Sequence, residues 1–134
     1  MNQAIRDYFD EQTDWVIQRL PDHFLKLMEA VPICIEDRPS RKIRRDLRVK
    51  NPEFLCGMFI GESMATTQYQ HSVPSTVFLF RKGIIANAES IARDSIFSKA
   101  GKKELRVQIE ITILHEFAHY HGLDEKDVRL IGYE

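Results

Sequence analysis

His115-Glu116-Phe117-Ala118-His119-Tyr120-His121-Gly122-Leu123-Asp124-Glu125 has the form H-E-x-x-H-x-x-G-x-x-E. On a helix, residues four apart share a face, so His115 and His119 can bring two imidazole nitrogens to one metal ion at roughly 2.0–2.1 Å. Glu116 stands beside the first of them, where its carboxylate can hold a water on the metal without being a ligand. Gly122 permits a backbone turn that most residues resist, and the helix can stop there. The returning chain brings Glu125 within reach as a third ligand. Asp124, one residue earlier, is its rival if the turn is tighter, and the acid left over would serve as cap or first-turn acid of a following helix. Two histidines and a carboxylate, with a fourth position for water, is the donor set of a catalytic rather than a structural zinc site. The same donors suit other divalent transition metals: iron, cobalt, nickel or manganese.

Outward from this stretch, Lys102 to His121 reads as one long helix, with Ile109, Ile113, Leu114, Phe117 and Ala118 on its buried side. Two histidines that merely share a helix face would leave the Glu, the Gly and the Glu125 spacing without an explanation. Upstream, Ile5 to Leu20 carries apolar residues at three-to-four-residue intervals, and Pro21 opens a second helical turn with Phe24, Leu25, Leu27 and Met28 inward. Val31 to Ile35, Phe54 to Gly61 and Thr76 to Arg81 read as strands. Arg41 to Val49 forms a short helix with Ile43 and Leu47 on its buried side. Gly83 to Ala88 continues apolar, Glu89 to Ser98 is a short helix, and Glu125 to Ile131 a last one. Glu62 to Pro74 is a polar connection of loop length. Trp15, Phe24, Phe54, Phe78 and Phe80 are the aromatic core, while Met58 and Met64 fill gaps. The expectation is one compact α+β domain over 1–134, with a small sheet of three to four strands packed against N-terminal helices and the C-terminal metal-binding helix.

Composition narrows the function. At 134 residues the chain can bury one respectable core but not two. A net charge of −1 does not suit a polyanion-binding protein. No apolar run approaches the roughly 20 residues that span a bilayer. Met1 to Asp14 carries acids and amides where a secretory leader has a basic patch and an apolar stretch, so a cytoplasmic location is expected. Cys34 and Cys56, the only cysteines, are expected as buried thiols of a reduced protein, neither of them a metal ligand.

Segments beyond the histidine pair carry a resemblance. Ile33-Cys34-Ile35-Glu36-Asp37-Arg38-Pro39-Ser40 matches a strand ending in E-D-R-P-S. Leu55-Cys56-Gly57-Met58-Phe59-Ile60-Gly61 matches L-x-G-x-[FY]-x-G, and Pro74-Ser75-Thr76-Val77-Phe78-Leu79-Phe80-Arg81 matches P-x-x-[IV]-x-[IL]-[FY]-[RK]. In this order, ahead of the metal-binding helix, they make the chain resemble the small bacterial zincin-like metallopeptidases. Many members have Asp where Glu125 stands, and Glu reaches further by one methylene.

The resemblance implies a minimal zincin-like fold and zinc-dependent peptide hydrolysis with Glu116 as general base, one zinc per chain, and a peptide or protein as substrate. Larger zincins add a side-chain donor opposite the metal. His121, Tyr120, Tyr133 and His71 are the candidates, and His121 reads equally well as a group supporting a ligand or as a solvent-facing residue near a helix end. An extended substrate would add to an open sheet edge, for which Thr76 to Arg81 is one candidate. So small a chain has little material for a second lobe, which leaves open a metal-binding protein of the same fold that works through a protein partner with little or no hydrolysis. Arg38, Arg41, Lys42, Arg44, Arg45, Arg48 and Lys50 form a basic run that is either the solvated face of a short helix or a surface for nucleic acid or an acidic partner. Lacking aromatic interleaving and a nucleic-acid motif, it does not point to nucleic acid. No membrane partner is expected, and the chain is read as a monomer or small homo-oligomer.

Overall fold

The computed structural model describes residues 1–61 and 75–121. The polar connection 62–74 with His71, the segment 122–134 with Gly122, Asp124, Glu125 and Tyr133, and the expected last helix lie outside the described residues.

The longest element is helix α5, Lys99–Tyr120. Ser98 caps it, its hydroxyl accepting from the Gly101 amide at 2.9 Å. Leu105, Ile109, Ile113 and Phe117 recur at helical spacing and are essentially without solvent exposure. Burying each such side chain is worth about 1.5–3 kcal/mol, so this stripe anchors α5 in the core. Its main helical partners are α1, Gln3–Ile17, and α4, Arg81–Ala92. The α1 helix buries Phe9, Gln12, Thr13 and Val16. Its Gln12 side chain accepts from Arg106 Nε at 2.8 Å, and the Trp15 ring lies under both Arg19 and Arg106, 3.8 and 3.7 Å away. Helix α2, Asp22–Ala30, follows the break at Pro21 and turns the edge of Phe24 onto Phe117.

Strands β1, Ile33–Glu36, β2, Gly57–Ile60, and β3, Thr76–Phe80, form one sheet in the order β1-β3-β2. β1 runs parallel to β3 and β2 antiparallel to it. With the helices this is an α+β fold, and the three strands among the described residues fall within the expected three to four. The register places Ile35, Leu79 and Gly57 side by side, and likewise Ile33, Val77 and Phe59. These residues face the helices; Cys34, Phe78 and Met58 lie on the other face.

Several expectations need correction. Thr76–Phe80 is the central strand, not an open edge, because neighbours take both of its sides. Its near-continuous apolar run is what a central strand carries. Cys34 is exposed, since the alternation of β1 turns Ile33 and Ile35 inward and Cys34 outward. Phe54 is 44% exposed: it belongs to a short 3-10 turn, Pro52–Phe54, ahead of β2, and its ring lies 4.8 Å from the Lys82 ammonium. Phe80 is buried as expected, while Trp15, Phe24 and Phe78 are half-buried. The apolar continuation and short helix expected over 83–98 are instead α4, which begins at Arg81 directly after β3 and runs to Ala92. Gly83 lies inside it because a Cβ there would stand 2.4 Å from the Phe54 carbonyl oxygen and 2.5 Å from that of Leu55. Helix α3 is short, Arg41–Asp46, with Ile43 and Leu47 half-buried on its inner side.

A charge cluster ties α1 to the sheet. Arg81 donates to both carboxylate oxygens of Asp10 and, at 2.9 Å, to Asp37 just beyond β1. Asp37 also accepts from Arg6 at 2.7 Å. Hydrogen bonds from Arg6, and then from Arg81, hold the Asp37 carboxyl below the usual carboxylate range against the opposing effect of burial. A carboxyl depressed in the folded state contributes stability above its unfolded pKa of about 3.9 and loses it as pH falls through the folded value. The native chain should therefore exceed Asp37→Asn in urea midpoint by a constant margin from about pH 7 to pH 5, and that margin should close below about pH 4. A margin that persists into acid would separate the loss from the charge.

Candidate metal centre

The last two turns of α5 carry the site. The spacing that buries Ile109, Ile113 and Phe117 leaves His115 and His119 together at the flank of the buried stripe, both half-buried. Their rings meet edge to face at a centroid distance of 4.9 Å, and their Nε2 atoms are 3.1 Å apart. Two ligand atoms at about 2.0–2.1 Å from one zinc ion, separated by the tetrahedral angle, would be roughly 3.3 Å apart. The pair therefore stands close to chelating separation. Glu116 is 7% exposed, and its Oε2 lies 3.8 Å from His115 Nε2. One ligand atom from each of His115, Glu116 and His119 falls within 4.8 Å of the others, the arrangement expected of a metal-binding group. Two imidazoles and a carboxylate suit zinc by softness and charge.

Glu116 owes its position to β2. In the sheet Gly57 stands opposite Leu79 on the face turned to α5. A Cβ at Gly57 would meet Thr112 Cγ2 at 2.5 Å and Glu116 Cγ at 3.2 Å, so only glycine lets the strand lie this close to the helix. Thr112, one turn before Glu116, donates its hydroxyl to the Gln108 carbonyl at 2.7 Å and turns its methyl to the strand.

Beside the histidines opens a cleft of about 540 Å³. Along α5 it is lined by Gln108, Ile111, Thr112, His115 and Glu116; the opposite wall is the chain from Val49 to Gly57, with Asn87 of α4 at one side. Asn87 donates to the Gln108 side chain at 2.8 Å and joins the two helices along this floor. Cys56 borders the same cleft. Burial pushes its thiol pKa up, and the Glu116 carboxylate adds to the effect, so Cys56 is a thiol at neutral pH. In sequence it is far from the histidines; the fold makes it their neighbour.

Of the other expected donors, Tyr120 turns its ring edge onto Phe59 of β2 at 5.7 Å, and His121 is the exposed residue that caps α5. Asp124, Glu125, Tyr133 and His71 lie outside the described residues. The cleft wall from Val49 to Leu55 carried no signal in the sequence beyond its mixed composition, because what makes it a wall is the contact of Gly83 with its backbone.

Among the described residues no helix is long and apolar enough to cross a membrane. A family model described as zincin-like metallopeptidase matches residues 28–133, a span that runs from the end of α2 through the histidine pair. No curated protein matches the chain.

Proposed function

This chain belongs to the zincin-like metallopeptidase family, and from that premise we propose that it is a zinc-dependent hydrolase of peptide bonds. The observation that carries the reading is the His115–His119 pair at 3.1 Å with the Glu116 carboxylate beside it, His115 and Glu116 both lining an open cleft. His115 and His119 would hold the metal, and Glu125 or Asp124 would complete the set. When bound there, zinc would supply Lewis-acid chemistry, making water easier to deprotonate and the scissile carbonyl more electrophilic.

The chain's own residues do the rest. Glu116, nearly buried and fixed between Gly57 and His115, takes a proton from water as its oxygen attacks the carbonyl carbon. The same carboxyl delivers that proton to the nitrogen as the C–N bond breaks, giving a carboxylic acid and an amine. Gly57 and Thr112 pack beside the Glu116 side chain and position it. Among the described residues β2 pairs only with β3, and an extended peptide added along its other side would be held beside α5 by main-chain hydrogen bonds.

The first test is metal content. Purified protein given zinc and then freed of excess is expected to retain about one ion per chain, and the His115→Ala/His119→Ala double variant none. Zinc retained by the double variant would place the metal elsewhere. No zinc in the native chain would leave the zincin-like fold without its chemistry.

A further inference from the structure

The basic run that the chemistry above leaves unused ends in the wall of the cleft. From Arg38 to Lys50 there are seven bases and one acid, out of 19 bases and 20 acids in the whole chain, so the remainder is net acidic and positive charge is gathered at one place. In the fold this run is the turn before α3, α3 itself and the strand of chain after it. Arg41, Lys42, Arg45, Arg48 and Lys50 are all exposed. The one acid within the run, Asp46, lies 3.7 Å from Arg45 with both side chains well in solvent, a pairing too loose to neutralise the surface. The next acid along, Glu53, is bound to Lys82 at 3.0 Å, and Lys82, then Arg38 and Arg44, hold its carboxyl below the usual range. Of the run itself, Lys50 lines the cleft beside Val49, and Arg38 and Arg44 lie near enough to act on the charge of Glu53 in the 3-10 turn.

A second feature lies at the same place. Val49 and Phe54 border the cleft, yet they are 49% and 44% exposed, among the largest apolar exposures of the described residues. Lys50 stands between them in sequence and also lines the cleft. Apolar side chains held open at the mouth, with half-buried Ile111 across from them on α5, make an apolar seat, and the positive surface begins at its rim. Glu116 lines the same cleft, and its carboxylate would repel a second anion placed beside it.

We propose that this site takes an acidic peptide segment, an apolar residue of which sits in the cleft between Phe54 and α5 while flanking Asp or Glu side chains lie over the bases of Arg41–Lys50. The proposal rests on the hydrolase reading and names its substrate class. A single-stranded nucleic acid shares the charge and could stack a base on Phe54; the peptide-hydrolase reading favours a peptide, and the oligouridylate competition below separates the two. Exposed charges act over about one Debye length, roughly 10 Å at 0.1 M salt, so the recognition is salt-sensitive and acts largely on encounter.

The test uses the full chain with zinc. Glu116→Gln is titrated by fluorescence anisotropy with a labelled peptide in which Leu or Phe is flanked by Asp and Glu, with its Asn/Gln counterpart, and with its Lys counterpart. The acidic peptide is expected to bind about tenfold more tightly than the neutral one at about 0.05 M salt, with the gap largely gone at about 0.5 M. Arg41→Glu/Arg45→Glu/Arg48→Glu, added to the same protein, should erase the preference while zinc content and melting temperature stay the same. Equal binding of acidic and neutral peptides, a preference that survives the triple reversal, or displacement of the acidic peptide by oligouridylate at equal charge would each overturn the proposal. Cleavage of the same peptides by the native chain separates the two claims. Turnover without charge preference keeps hydrolysis and removes this inference; charge-selective binding without turnover keeps the acidic docking surface and removes hydrolysis.

Discussion

A Glu116→Gln chain is expected to keep its zinc and to hydrolyse peptides about 10²–10⁴-fold more slowly than the native protein. Glutamine has the same shape, so it fits the space between Gly57 and His115 that leaves Glu116 7% exposed. It cannot accept a proton at neutral pH, and the loss therefore falls on turnover, with the Michaelis constant little changed. Single-turnover cleavage of an unstructured protein substrate, beside a zinc assay of the same sample, measures both halves. A variant that loses zinc together with activity would make Glu116 a ligand instead of a base. One that keeps full turnover would remove it from the chemistry.

The largest effect on stability should come from Arg81. Its side chain is 11% exposed and makes hydrogen bonds of 2.9–3.0 Å to Asp10 of α1 and to Asp37 beyond β1. Arg81→Met keeps most of the aliphatic volume and leaves two carboxylates facing each other's neighbourhood without their shared cation. Removing one partner of a fully buried pair costs about 3–5 kcal/mol. Here Asp10 and Asp37 are 43% and 30% exposed, so water compensates them in part and about 2–3 kcal/mol is the expected loss. In a chain of this size that lowers the melting temperature by roughly 10 °C. Arg45→Met, which breaks only the loose exposed pair with Asp46, is the control and should change stability by less than about 0.5 kcal/mol. A melting curve for Arg81→Met that overlays the native one would show that the bonds from Arg81 to Asp10 and Asp37 add nothing to the seating of α1.

The parts of this protein that could be read from the sequence are those whose signal is local. The period of Ile109, Ile113 and Phe117 places α5, and the four-residue step from His115 to His119 then brings the two imidazoles together whatever the rest of the chain does. The pairing of strands is not local. The apolar run of β3 looks the same whether one neighbour or two lie beside it, and only the return of β1 and β2 makes it central. Helix α4 was hidden for a related reason: Gly83 looks like a break, yet it is there to let the helix touch the carbonyls of Phe54 and Leu55. Phe54, an aromatic residue next to a strand, reads as core, and its exposure follows from that same contact, which presses the backbone to α4 and turns the ring out beside Lys82. The cleft was illegible because its walls come from three stretches of chain that say nothing about one another until they are folded.

The pairing of α1 with α5 also governs when the site can exist. The bonds that seat α1 span 88 residues, from Tyr8 to Ile96, and 94 residues, from Gln12 to Arg106. Closing loops of that length consumes chain entropy before any contact compensates it, so folding is expected to be slow for so small a protein. During synthesis Phe9 and Val16 must wait, uncovered, until α5 has emerged, and for that interval the nascent chain is a ligand for chaperones and prone to aggregate. The two imidazoles ride on α5, the helix whose emergence α1 must await. Metal capture would then come after the rate-limiting step, and zinc would slow the unfolding of this protein far more than it would hasten its folding.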